Sequence, residues 1–303
     1  MKRFNLTIVF ALFLVCSCAD RQLPSRDWEQ IISEYKDDGS SVNYLKVAEL
    51  NLALAQTGRL AEDVFKYTQA GQQSVLPDWD KTEAVGAISS DVYYAMGHIA
   101  YSQRMAFEAN VLGEGRYVPE MMERLIQTNL IFEAWEVAEK YIRILEKDGY
   151  DCGRYRAFLR NPAALDADPE FGPLRRCVPP EDAISFADGL EGDLKEILRR
   201  NPSRRITLEY LGVMYLLDCN MEEFRALVDE FYGTEVLPKL PRSFAEAACM
   251  MSELEKNYWK SVGVDKQMFA RYRDFKSRLA NGLSEEKYKD TFWFYMMRVN
   301  SNI

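Results

Sequence analysis

The chain has 303 residues, with 38 Lys and Arg against 47 Asp and Glu and one histidine, a net charge of −9. That acidic balance argues against nucleic acid or an anionic membrane surface as a partner. A single histidine excludes a zinc site built on two histidines, and it leaves a Ser-His-Asp triad only if that residue is the base.

The first residues read as a targeting segment. Lys2 and Arg3 precede an apolar run from about Leu6 to Val15, too short to span a bilayer and of the length of a secretory signal core. The run ends in Val15-Cys16-Ser17-Cys18, which resembles the bacterial lipobox. Cys18 fits the lipid-bearing position better than Cys16, because Ser17 before it is small and Val15 is not. The alternative is an ordinary cleaved signal without lipid. Lipid would anchor the mature chain to a membrane without spanning it. Ala19 directly after Cys18 and the lack of an acidic run in "CADRQLP" point to the outer membrane, facing the periplasm. Loss of Lys2 and Arg3 with residues 1–17 leaves a net charge of −11.

After a tether at residues 18–26, helices follow in pairs. Asp27 is an N-cap candidate for a first helix. "VNYLKVAELNLALAQTG" carries helical spacing to Gly58, and "RLAEDVFKYTQ" follows after almost no loop, which predicts an antiparallel partner. In "TEAVGAISSDVYYAMG" Val85, Ile88, Val92 and Met96 share one face. Gly97 stops that helix and "IAYSQRMAFEANVL" returns. A third pair starts at Pro119, turns at Phe132-Glu133-Ala134 and closes at Gly149. Residues 27–150 thus form N-terminal repeats.

Residues 151–185 are rich in Pro, Gly and Asp and read as an irregular insertion with a short helix near Arg156–Arg160. Residues 186–303 resume the helices. "ITLEYLGVMYLLDCNMEEFRALVDEF" makes a fourth pair, with Asn220 and Glu223 at cap spacing, and Ser243 with Glu246 is a second cap candidate. The aromatic run Phe292-Trp293-Phe294-Tyr295 suits a terminal helix sealing the core.

Aligning Gly58, Gly97, Glu133 and Cys219 gives a repeat of about 34 to 40 residues. Small residues fall where paired helices cross: Ser90 and Ser102, Ala138 and Gly212. Asn51, Asp63 and Phe224 break that rule. The pattern resembles degenerate tetratricopeptide (TPR) repeats, an all-α solenoid of antiparallel helix pairs; the alternative is an irregular helical array. At "LPDWDKT", "VYYAMGHIAYSQRMAFEA", "NPSRRITLEYLGVMYLL" and "LPRSFAEA" the chain further resembles the TPR-like extracytoplasmic region of an uncharacterised family of Bacteroidota, over most of residues 41–255. Longer relatives carry membrane-spanning segments ahead of this region. The resemblance implies no activity, substrate or catalytic residue.

Chemistry is scarce in the sequence. No GxSxG, HExxH, Walker loop or CxxC occurs, so no catalytic residue, metal site or cofactor is expected, and the protein reads as a non-enzyme. His98, after Gly97, reads as an exposed turn residue. Asp78 and Asp80 around Trp79 read as a helix entry with Asp80 as cap, or as a sugar site. "RRNPSRR" reads as a solvated loop, or as a phosphate site. Cys152 and Cys177 are candidates for a disulfide stapling the insertion. The TPR register turns Asp91, Tyr94, Glu123, Gln127 and Glu209 to a concave face, where such arrays take extended peptides. The expected function is a lipid-anchored envelope scaffold for protein or peptide partners. The alternative is a glycan-binding outer-membrane lipoprotein.

Overall fold

The computed structural model describes residues 21–37, 42–113, 115, 117–179, 189–282 and 286–301. The signal segment 1–17 and Cys18 lie outside the described residues. Among those described the fold is all-α, seventeen helices with three short 3-10 turns and no strand.

The N-terminal helices are α1 (Trp28–Glu34), α2 (Tyr44–Gln56), α3 (Leu60–Asp63), α4 (Glu83–Met96), α5 (Ile99–Leu112), α6 (Pro119–Ile131) and α7 (Trp135–Lys147). Asp27 accepts from Gln30 N and opens α1 as expected. Thr82, rather than Asp80, caps α4 by accepting from Val85 N; Asp80 instead accepts from Thr82 N and its hydroxyl. The partner of α2 is shorter than its sequence suggested, one turn of α-helix and then a 3-10 turn over Val64–Lys66. Here Asn51, fully buried on α2, donates to Gln69 Oε1 at 2.9 Å and to Ser74 O at 2.7 Å, holding a loop where a second helix would continue.

The four aligned turns share one geometry. Gly58, Gly97, Glu133 and Cys219 have φ of 70°, 86°, 59° and 56°. In each, the next backbone N–H reaches back five residues: Arg59 to Leu54, His98 to Tyr93, Ala134 to Asn129 and Asn220 to Tyr215, at 2.7–2.8 Å. These are Schellman closures, in which a left-handed residue lets the freed N–H groups satisfy orphan helix carbonyls. The crossing rule holds beside them. Ser90 Oγ donates to Ser102 O at 2.8 Å, and a Cβ on Gly86 would lie 3.1 Å from that of Ala109.

The insertion folds as α8 (Gly153–Arg160), α9 (Ala164–Ala167) and α10 (Phe171–Arg175). The chain then forms α11 (Gly189–Arg200), α12 (Arg205–Leu217), α13 (Met221–Phe231), α14 (Arg242–Met251), α15 (Tyr258–Ser261), α16 (Lys266–Ala280) and α17 (Phe292–Ser301). Every residue of α12 from Thr207 to Leu217 is buried, as in a helix surrounded by protein. It packs on α2, α3 and α4 as well as on its chain neighbours α11 and α13. The interior accordingly divides in a way the chain order does not. One cluster joins α2–α4 to α11–α17, and a second gathers residues from Tyr94 to Leu174. The division into 27–150 and 186–303 is therefore not how the core is shared.

α17 seals the first cluster as expected. Phe292 and Trp293 are buried, Phe292 packs on Phe65, Trp293 on Tyr272, and Tyr295 Oη donates to Leu217 O at 2.6 Å. The cap expected at Ser243 and Glu246 does not form, because the helix starts earlier, at Arg242 after Pro241. Ser243 Oγ donates instead to Ala61 O at 2.6 Å. Glu246 receives Arg242 Nε at 3.0 Å and Phe292 N at 2.8 Å.

Candidate functional site

Four of the five expected inner-face residues meet in one place. α4 presents Asp91 and Tyr94, one turn apart, and α6 presents Glu123 and Gln127 beside them. Arg124, which the sequence reading passed over, stands at the centre. Its Nη2 donates to Asp91 Oδ1 at 2.9 Å, its Nη1 to Gln127 Oε1 at 2.7 Å, and its guanidinium lies 3.5 Å above the Tyr94 ring. Arg26 approaches Asp91 Oδ2 to 2.6 Å from the N-terminal segment. Burial works against the charge of Arg124, but Asp91 and Tyr94 hold its pKa above the ordinary value.

The insertion closes this cluster. Asp168 Oδ1 accepts from Glu170 N at 2.9 Å and Phe171 N at 3.0 Å, which fixes the turn into α10. Gly172 is needed there, since a Cβ would fall 2.4 Å from Asp166 O. So placed, Glu170 Oε1 accepts from Tyr94 Oη at 2.7 Å and Gln127 Nε2 at 3.1 Å, and Oε2 meets Arg154 at 2.8 Å. Tyr155 donates to Glu123. Burial, with the neighbouring carboxylates, pushes the Tyr94 and Tyr155 hydroxyls well above their ordinary range. Burial also raises the Glu123 carboxyl.

Asp91, Tyr94, Glu123 and Gln127 are thus engaged by the chain itself. Phe158, Leu165, Phe171 and Leu174 are all buried in the second cluster. At about 1.5–3 kcal/mol per large apolar side chain, lifting the insertion away costs on the order of 6–12 kcal/mol. That is comparable to the whole stability of a domain, so residues 153–175 are a fixed part of the fold.

Glu209, the fifth residue, lies elsewhere. It is buried on α12, accepts from Arg205 Nε at 2.6 Å and Ala61 N at 3.4 Å, and ties α12 to α3. Burial raises its carboxyl.

The cysteine pairing is corrected. Cys152 and Cys177 are both free and buried, and they belong to different core clusters. Cys177 Sγ instead lies 3.4 Å from Pro173 O, and burial pushes the Cys152 thiol up to about 11. His98 is corrected as well. It is buried, its Nδ1 accepts from Tyr101 N at 3.4 Å as the N-cap of α5, and its Nε2 donates to Asp193 on α11 at 2.9 Å. The basic turn is only partly solvated. Arg204 donates to Ala95 O at 2.6 Å and Thr207 to Met96 O at 2.7 Å, covering the open carbonyls at the end of α4.

A hollow of about 360 Å³ lies between α14 and α16, lined by Cys249, Glu253, Phe269, Tyr272 and Arg273 among others. Tyr272 and Lys276 both bond Glu253, Phe269 stacks on Trp259 at 4.5 Å, and burial pushes the Cys249 thiol up to about 12. Among the described residues no group of three or more His, Cys, Asp and Glu side chains could hold a metal ion. No helix among them is long and apolar enough to cross a membrane.

The fold and this interior define an all-α protein of paired helices whose inner polar cluster is bonded within the chain. The chain belongs to the family of unknown function DUF6057, whose model matches residues 18–298. Comparison with curated proteins and with solved structures finds no match.

Proposed function

We propose that this protein is a lipid-anchored, non-enzymatic helical scaffold of the bacterial cell envelope that binds a protein partner. The observation that carries the reading is the state of the inner cluster. Its acids, bases and hydroxyls bond one another, from Arg124 with Asp91 to Tyr94 with Glu170. A buried network whose members bond one another holds a fold together, and each of these side chains has at least one such partner, while Arg124 Nε has none.

A protein partner is favoured over a glycan by the tryptophans. A sugar platform needs an open aromatic face, whereas Trp259 and Trp293 are buried and Trp28, Trp79 and Trp135 are half-buried. The partner meets the outer surface of the insertion-filled array, since the concave-face side chains are already engaged.

Crosslinking and affinity purification from native host membranes tests the reading, with a glycan array run in parallel. A reproducible protein partner is the expected result. Retention on glycans with no protein recovered would reverse it.

A further inference from the structure

The segment expected to be a tether is docked from its first described residue. Arg21 N donates to Gly149 O at 2.7 Å, and Asp151 N donates to Arg21 O at 2.9 Å, a parallel bridge across the turn between α7 and α8. The Arg21 guanidinium lies 4.8 Å over the Tyr150 ring. Leu23 packs on the second core cluster, and Arg26 pairs with Asp91. Four separate contacts therefore fix residues 21–26 to the body.

From this geometry we infer that the Gly149-Tyr150-Asp151 turn is the membrane-facing end of the molecule and that its partner there is the lipid surface. The inference rests on the lipid anchor at Cys18. Only three residue steps separate Cys18 from Arg21, a reach of about 11 Å at full extension. A lipid-bearing Cys18 sits at the headgroup level, so Arg21 is held within that distance of it and the turn one backbone hydrogen bond further. Covalent geometry sets the orientation, and no surface charge is required. Lys147 and Asp148, both exposed at the end of α7, then face the headgroups. α16 packs on α14 in the other core cluster and serves as the comparison.

The test uses the full chain made and processed in its host, purified and reconstituted into phospholipid vesicles carrying a photoactivatable headgroup probe. Adducts are mapped by peptide mass spectrometry. Several-fold enrichment on peptides covering residues 140–154 over those from α16 is expected. Arg21→Pro removes the donor to Gly149 and the guanidinium over Tyr150 but leaves Leu23 and Arg26 in place, and it should lower the enrichment while the lipid stays in place. Acylated Cys18 with adducts spread evenly, or concentrated on α16, overturns the orientation alone. An unacylated N-terminal peptide overturns the anchor and this inference with it. A wild-type pattern in Arg21→Pro overturns the role of the bridge.

Discussion

Tyr94 and Glu170, 76 residues apart, are joined by a 2.7 Å hydrogen bond from phenol to carboxylate. The bond ties the second helix pair to the insertion, and the Arg124 guanidinium covers the same tyrosine ring. Tyr94→Phe keeps the ring and loses only the donor. A bond to a charged acceptor predicts a loss of about 1.5–3 kcal/mol, read by chemical denaturation. Arg124→Ala leaves Asp91 buried with only Arg26 beside it, and a loss of about 3–5 kcal/mol is expected.

Gly212 is where α12 meets Phe244. A Cβ there would stand 2.2 Å from Phe244 Cζ, and that ring cannot retreat because it packs edge-on against buried Phe224 at 5.1 Å. Gly212→Ala should therefore destabilise by about 1–3 kcal/mol through overpacking. Adding Phe244→Leu should recover part of the loss, a non-additivity that thermal unfolding of the single and double variants measures.

Cys219 carries a left-handed backbone, φ 56°, without being glycine. Such a conformation costs an L-residue about 1–2 kcal/mol, partly offset in glycine by a more flexible unfolded chain. Cys219→Gly should raise stability by up to about 1 kcal/mol, a shift of a few degrees in Tm. A lower Tm would mean that the thiol packs better than its turn fits.

Glu246 is buried under Arg242 and the start of α17, and burial raises its carboxyl from 4.5 to about 7. The folded chain then keeps a proton that the unfolded chain releases. This contribution to stability is complete below about 4.5 and is lost as pH rises through about 7. The expected loss is on the order of 2–3 kcal/mol. Glu246→Gln should remove it, so the stability difference between wild type and variant changes across this window. Parallel curves would refute the assignment.

The free thiols give a fifth check. With Cys152 and Cys177 unpaired, Tm should be unchanged by reductant, and the unreduced chain should show four titratable thiols among residues 21–301 after denaturation. A reductant-sensitive Tm would restore the bridge.

The sequence by itself determined the helices and their turns. Gly58, Gly97, Glu133 and Cys219 could be aligned because a Schellman closure is made within about six residues. Ser90 and Ser102 could be paired because a close crossing admits only small side chains. The cap at Asn220 was legible for the same local reason. The cap expected at Ser243 failed because Pro241 already starts that helix, and Ser243 and Glu246 found partners on α3 and α17.

Only the tertiary structure decided what those helices enclose. The placement of α12 among α2, α3 and α4, the bonding of Tyr94 and Glu123 by residues 153–175, and the burial of His98 against Asp193 each join positions about 30 to 150 residues apart. Such contacts depend on three-dimensional shape and on which charges burial leaves without water. Neither is carried by the spacing of residues along a chain. Hence Asp91, Tyr94, Glu123 and Gln127 were found as one surface, while Arg124, Tyr155 and Glu170, the groups that consume them, were not.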